Sequence, residues 1–186
     1  MSRTFDYPGL RILTVFFEDP HREFHLREAA STAKVSPSTA KIFLDDYVKL
    51  NLLTRTDKAN LHLFKANLEE PSFRLWKTSR FLLQTGLYLR RLSQAYPNSS
   101  LVLFGGCANG TDGPGSDLDL LLITREPTEP PTRLVDELSR RSSRNAELIK
   151  YTPEQWESKA RADKPFYETI LTNGITISGN IPVVAT

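Results

Sequence analysis

Residues Leu101–Thr124 read LVLFGGCANGTDGPGSDLDLLLIT, two apolar runs separated by small and polar residues. The first run, Leu101–Phe104, ends at a pair of glycines, and the second, Leu118–Ile123, begins beside two aspartates. Apolar runs bounded by glycine and proline are typical of buried strands. The pattern therefore predicts a strand, a glycine turn, a loop and a second strand.

The two aspartates, Asp117 and Asp119, are separated by one residue, so on a strand both side chains point to the same face, roughly 7 Å apart along the chain. Two neighbouring carboxylates repel each other unless a cation binds between them, and hard oxygen ligands suit Mg²⁺ or Mn²⁺. Gly105 and Gly106 have no side chains, so their N–H groups can approach a phosphate closely at a helix start. A phosphate site beside a metal-binding carboxylate pair indicates phosphoryl or nucleotidyl transfer.

The glycine pair, ten intervening residues and then Asp117-Leu118-Asp119 resemble the signature of the polymerase-β nucleotidyltransferase superfamily. The phrase FGGCANGTDGPGSDLDL is especially similar to the minimal nucleotidyltransferases of prokaryotes, and PFYETILTNGITISG resembles their ending. The resemblance implies that Gly105 and Gly106 bind the triphosphate of an NTP, with ATP the first candidate. It also implies that Asp117 and Asp119 bind two divalent metal ions.

A third carboxylate on a later strand completes the site in that family, and Glu147 in the predicted strand Ala146–Tyr151 is the matching position. Glu147 would bind one metal and accept the proton of the attacking hydroxyl. Ser116 would position Asp117 or contact phosphate. Two positions depart from the family: Gly106 replaces the more usual serine, and Asn109 stands where Arg or Lys is common.

Composition describes an ordinary globular protein, with 186 residues, 39% hydrophobic and 25% charged. Residues 1–100 contain 15 Lys and Arg against 10 Asp and Glu, whereas residues 101–186 contain 9 against 12, which suggests two modules. No apolar run is long enough for a membrane span, so we expect no membrane partner. The single cysteine, Cys107, fits a reducing cytoplasm and is interpreted as a small turn residue.

The first module, residues 1–70, resembles a winged helix-turn-helix: three short helices and a hairpin of Leu52–Thr56 and Leu61–Lys65 around Lys58-Ala59-Asn60. Ser36 caps the third helix, with Pro37 at its first position. On that helix the pattern places Leu50 in the core and leaves Phe43 exposed together with two acids. The lysines to test for DNA binding are Lys34, Lys41, Lys58 and Lys65.

Residues 71–97 are predicted to form a connecting helix that covers the sheet of the third segment, residues 98–186. Its apolar positions include Trp76, Phe81, Leu83, Leu87 and Leu92. Beyond the central motif, a loop at Pro127, Pro130 and Pro131 leads to predicted helices over Thr132–Ser142, from Thr152 and from about Pro165. The fold class is therefore α+β, with a polymerase-β-like domain built on a small mixed sheet.

The predicted function is metal-dependent transfer of a nucleoside monophosphate from an NTP to a hydroxyl of a protein, a nucleic acid or a small molecule. The alternative is a regulator that binds DNA or protein through the winged helix-turn-helix and whose nucleotidyltransferase domain is degenerate or sensing. Relatives of the minimal family pair with toxin proteins, so the resemblance also implies a toxin-like protein partner. The oligomeric state is left open.

Overall fold

The computed structural model describes residues 6–58, 61–127 and 132–184, and its helices and strands form the α+β fold that was predicted. The chain divides into two structural units, Met1–Lys77 and Thr78–Thr186. Among the described residues, no helix combines the length and apolar character needed to cross a membrane.

The first unit contains the three helices and the hairpin predicted from the sequence. In chain order its elements are α1 Pro8–Glu18, β1 Phe24–His25, α2 Leu26–Ala33, α3 Pro37–Lys49, β2 Leu53–Lys58 and β3 Leu61–Ala66. The strands form an antiparallel sheet in the order β1-β3-β2. The predicted turn residues Ala59 and Asn60 lie outside the described residues.

Two local capping interactions fix the helices of this unit. Ser36 accepts a hydrogen bond from Thr39 N at 3.1 Å, with Pro37 at the first helical position, as predicted. His25 Nδ1 accepts a hydrogen bond from Glu28 N at 3.2 Å and so caps α2. The apolar faces of the three helices then close over the sheet around Phe16, Leu44 and other buried residues.

The predicted orientation of α3 is wrong at two positions. Leu50 is 62% exposed, because α3 ends at Lys49 and the chain turns before Leu50 can reach the core. Phe43 is half-buried instead of exposed: its ring packs edge-on against Tyr7, with centroids 5.5 Å apart, and beside Tyr47 at 6.2 Å. The segment before α1 covers Phe43, which helical periodicity within α3 cannot reveal.

The long helix α4 spans Pro71–Gln94, and the boundary between the two units lies within it. The elements that follow are β4 Ser100–Phe104, α5 Gly105–Asn109, β5 Leu118–Ile123, α6 Thr132–Ser142, β6 Ala146–Tyr151, α7 Pro153–Ala162, α8 Lys164–Asn173 and β7 Ile175–Ser178. Thr152 and Gln155 form the predicted capping box at the start of α7. The predicted loop residues Pro130 and Pro131 lie outside the described residues.

The four-stranded sheet of the second unit has the order β6-β5-β4-β7 and is mixed: β5 and β6 are parallel and the other pairs are antiparallel. Alternate residues of the central strands enter two cores, one on each face. One core joins Leu101, Leu103, Leu118, Leu120 and Leu122 to α4 and α6. The other joins Val102, Leu121 and Ile123 to α7 and α8.

Only part of the apolar face predicted for α4 covers this sheet. Phe81 and Leu92 are buried against it, and so is Leu89. Leu83 and Leu87, which were counted with the same face, are 71% and 49% exposed. The helix has more apolar residues than one buried stripe can hold, so its periodicity alone misassigns them.

Candidate active site

The candidate site lies at the end of the sheet where β4 ends and where β5 and β6 begin. There Phe104 on β4 pairs with Asp119 on β5, and Asp119 pairs with Glu147 on β6. Residues paired across neighbouring strands point to the same face of a sheet. Asp119 is two residues before Leu121, so this row lies on the face that packs on α7 and α8, beyond the edge of that core.

The first glycine of the pair is in close contact with the central carboxylate. Gly105 has φ +68°, and a β-carbon built on it would lie 2.1 Å from Asp119 Oδ2. Only glycine leaves room for the carboxylate at this point and adopts the left-handed backbone without strain. The turn that starts α5 and the Asp-x-Asp segment therefore form one local structure.

The three predicted metal ligands influence one another electrostatically. Partial burial raises the pKa of Asp119 above its ordinary value, and the negative charges of Asp117 and Glu147 raise it further. Asp117 and Glu147 are themselves exposed. The structure thus brings the negative charges of all three carboxylates to one end of the sheet.

The donor set of this cluster fits a hard divalent cation. Carboxylate oxygens are ligands of Mg²⁺ and Mn²⁺, and a cation would remove the repulsion that raises the pKa of Asp119. Within residues 6–58, 61–127 and 132–184, no three acidic, imidazole or thiol groups are close enough together to hold a metal ion as they stand. The exposed side chains of Asp117 and Glu147 would have to turn toward Asp119 for all three to bind one ion.

The second glycine packs against the loop that leads to the aspartates. A β-carbon at Gly106 would lie 3.3 Å from the backbone nitrogen and the α-carbon of Asp112. Gly110, in the left-handed conformation at φ 69°, ends α5 and turns the chain into this loop. Gly106 therefore allows the loop to lie directly over the start of α5.

The remaining predicted site residues have local roles as well. Ser116 Oγ accepts a hydrogen bond from Gly113 N at 3.0 Å and closes the turn just before Asp117. Asn109 is the last residue of α5 and is half-buried. Cys107 is buried in the core, with its thiol 3.5 Å from the carbonyl oxygen of Asp117, in keeping with a structural role.

Two contacts at the site could not be found from the sequence pattern. Arg144, just before β6, forms a buried ion pair with Asp112 and donates to Gly113 O at 3.3 Å. Thr78 on α4 is buried and its hydroxyl donates to Ala108 O at 3.1 Å and toward Cys107 O at 3.4 Å. Both partners are about thirty residues away in the chain, so no local spacing signals them.

The first unit offers few unpaired positive charges on its predicted recognition helix. On α3, Lys41 pairs with Asp45 and Lys49 with Asp46, each at 3.1 Å. Lys58 on the hairpin pairs with Glu23 at 2.9 Å. A lysine whose charge is already neutralised by a carboxylate contributes less to phosphate binding, which DNA affinity largely depends on.

Comparison with known proteins finds a family match within the second unit. Residues 87–169 match the family model of the nucleotidyltransferase domain, a range that contains the glycine pair and the three carboxylates. No curated protein matches the chain. One similar solved structure is a toxin–antitoxin bound to AMP-PNP, with 18% identity, a TM-score of 0.39, and coverage of 52% of this chain and 73% of that one. Another is a tri-AMPylated Shewanella oneidensis HEPN toxin in complex with MNT antitoxin, with 14% identity, a TM-score of 0.36, and coverage of 54% and 73%.

Proposed function

We propose that this chain, whose residues 87–169 match the family model of the nucleotidyltransferase domain, transfers a nucleoside monophosphate from an NTP to an acceptor hydroxyl. ATP is the first nucleotide to test. The acceptor hydroxyl belongs to a protein, a nucleic acid or a small molecule. The reaction requires Mg²⁺ or Mn²⁺.

The observation that supports this proposal best is the row formed by Phe104, Asp119 and Glu147 at one end of the sheet. It brings Asp119 and Glu147, which are far apart in sequence, beside the residue that precedes the glycine turn. Gly105 lies against the carboxylate of Asp119, so a phosphate held at the turn would be next to the acidic cluster. This is the arrangement of donors and ligands that nucleotidyl transfer needs.

In the proposed reaction the acceptor oxygen forms a bond to the α-phosphorus. The bond between that phosphorus and the oxygen bridging to the β-phosphorus breaks, and pyrophosphate leaves with the electron pair. Glu147, which is exposed at the edge of the cluster, accepts the proton of the acceptor hydroxyl. The backbone N–H groups at the start of α5, at Gly105 and Gly106, donate to the β- and γ-phosphates, because the first N–H groups of a helix have no intrahelical partner.

Asp117 and Asp119 would hold the divalent cations, and Glu147 would contribute to one of them. When bound, such a cation neutralises charge on the phosphates and on the leaving pyrophosphate. The three side chains have a further task of their own, which is to keep the acceptor oxygen, the α-phosphorus and the leaving oxygen in line. Ser116 supports this alignment by closing the turn before Asp117.

The contact between Gly106 and Asp112 gives a physical reason for the glycine at a position where relatives more often have serine. A β-carbon at residue 106 would meet the backbone of Asp112 at 3.3 Å, which is tight for any side chain. We propose that this chain gives up the serine hydroxyl in exchange for a closely packed loop. Phosphate binding would then depend more on backbone donors and on metal.

The reaction can be tested without a known acceptor by letting water take the place of the acceptor hydroxyl. Incubation with ATP and Mn²⁺ is expected to release pyrophosphate and AMP, and Asp119→Asn is expected to lower that rate at least about 100-fold. Gly115→Ser, in the exposed part of the loop, is the control and should retain the rate. Release of inorganic phosphate and ADP instead would contradict nucleotidyl transfer.

A further inference from the structure

A buried ion pair connects the two segments that carry the candidate site. The side chains of Asp112 and Arg144 are 3% and 10% exposed, and they lie on the loop before β5 and on the turn before β6. Arg144 Nη1 also donates to Gly113 O at 3.3 Å. The guanidinium therefore binds both the side chain and the backbone of the loop.

On the loop side, this pair fixes the surroundings of the glycines and of Asp117. The backbone of Asp112 packs on Gly106 so closely that a β-carbon on that glycine would be 3.3 Å away. Gly113, held by Arg144, is also the residue whose N–H binds Ser116 Oγ, immediately before Asp117. A shift of Asp112 would thus move both the start of α5 and the first aspartate.

On the strand side, the same pair fixes the start of β6. Asn145, next to Arg144, accepts a hydrogen bond from Leu118 N at 2.8 Å through its carbonyl oxygen. That bond belongs to the parallel pairing of β5 and β6, in which Glu147 lies beside Asp119. Arg144 is three residues before Glu147, so its anchoring limits how far this carboxylate can move from the others.

We propose that Asp112 and Arg144 are positioning residues that hold the glycine turn, the Asp-x-Asp segment and Glu147 in the arrangement that binds a metal–nucleotide complex. This inference rests on the proposed function. A buried ion pair is weak support for stability, since apolar pairs of similar size often replace one without loss. An apolar pair cannot replace the hydrogen bond from Arg144 to Gly113 O. Replacing the ion pair by apolar residues should therefore weaken nucleotide binding more than it lowers the stability of the fold.

The decisive variant is therefore Asp112→Leu/Arg144→Met, which removes both charges of this pair together. Arg144→Lys is the second variant: it keeps a positive charge opposite Asp112 but loses the planar group that reaches both acceptors. Arg125→Met is the matched control, because Arg125 follows the other end of β5 and forms an exposed ion pair with Glu154. Binding of α,β-methylene-ATP with Mn²⁺ is measured by calorimetry, and folding by thermal unfolding of the same samples.

We expect the double variant to unfold within a few degrees of the wild type and to bind the analogue at least about 10-fold more weakly, an effect typical of groups that orient metal ligands. If the double variant is unfolded, the affinity and the melting temperature of Arg144→Lys are compared with those of the wild type instead. The control Arg125→Met should have the affinity of the wild type. Unchanged affinity in a folded variant overturns the positioning role alone. A wild type that binds no nucleotide removes the proposed function, and this inference with it.

Discussion

Gly105 and Asp119 lie so close together that any side chain on the glycine would collide with the carboxylate: a β-carbon there would be 2.1 Å from Asp119 Oδ2. The two residues belong to different elements, the start of α5 and the start of β5. Their contact makes the glycine turn and the acidic cluster a single unit. A substitution at Gly105 should therefore displace the carboxylate of Asp119, and a substitution at Asp119 should alter the surroundings of the glycine turn.

The first prediction uses this contact. Gly105→Ala must displace the Asp119 carboxylate, so we expect binding of a metal–nucleotide complex to weaken at least about 10-fold and stability to fall by about 1–3 kcal/mol. Gly115→Ala is the control, since Gly115 also has a positive φ of +79° but nothing within 4 Å of a β-carbon. It should lose about 1 kcal/mol of stability and retain binding. Equal binding losses in both variants would contradict a specific role for the contact.

The elements around the site could be predicted because their signals are local. Apolar runs identified β4 and β5, and the glycine pair marked the turn that follows β4. The predicted bounds of β5, α6 and β6 are those of the structure. Local sequence does not contain the pairing of strands, so the row from Asp119 to Glu147 could be reached only through the family resemblance.

The second prediction concerns pH and Asp119 in the metal-free protein. The pKa of Asp119 is raised above its ordinary 3.8 in the folded state, so the unfolded chain loses this proton first as the pH rises. Folding stability therefore falls as the pH passes from the unfolded to the folded pKa, and the penalty is complete above both. Asp119→Asn should raise the melting temperature at pH 7, by roughly 2 °C, and should have little effect at pH 3.

Asp163 supplies the opposite case as a control. Hydrogen bonds from Lys159 and from Phe166 N hold the pKa of Asp163 below its ordinary value. It therefore stabilises the fold above the unfolded pKa, and that stability is lost as the pH falls through the folded pKa. Asp163→Ala should lower the melting temperature at pH 7. A stabilising effect of Asp163→Ala, or a destabilising one of Asp119→Asn, would contradict the assigned electrostatics.

The third prediction tests the anchoring of α5 by α4. Thr78→Val removes the donor to Ala108 O at 3.1 Å and leaves buried carbonyl oxygens unsatisfied, so we expect a loss of about 1–2 kcal/mol in the free energy of unfolding. Thr85→Val is the matched control, because the Thr85 hydroxyl is also buried but bonds to Phe81 O within its own helix. Urea unfolding should show a clearly smaller loss for Thr85→Val. Equal losses of unfolding free energy in the two variants would mean that the contact of Thr78 with α5 does not contribute to stability.

The contacts of Thr78, Arg144 and Phe43 show why the rest of the structure was not predicted. Each side chain is fixed by a partner on another element: α5 for Thr78, the loop before β5 for Arg144, and the segment before α1 for Phe43. Sequence periodicity reports which face of an element is apolar and not what covers it. The winged helix-turn-helix and its DNA binding stay predictions.

The fourth prediction concerns DNA. Because Lys41 and Lys58 are paired with Asp45 and Glu23, we expect no retardation of a mixed-sequence duplex at about 150 mM salt, where binding depends on free positive charge. Lys41→Ala should leave the amount of duplex bound at low salt unchanged. Retardation with a steep salt dependence, reduced by Lys34→Ala or Lys65→Ala, would favour the regulator instead.

The most direct test of the proposed function is calorimetric titration of α,β-methylene-ATP, whose α–β bond resists the reaction, with Mg²⁺ or Mn²⁺. The samples are the wild type and Asp117→Asn/Asp119→Asn, with circular dichroism to verify folding. We predict metal-dependent binding by the wild type and its loss in the folded double variant. If the analogue and the three other nucleoside triphosphates fail to bind the wild type with either metal, or if the variant binds equally well, the nucleotidyltransferase assignment of this site is wrong.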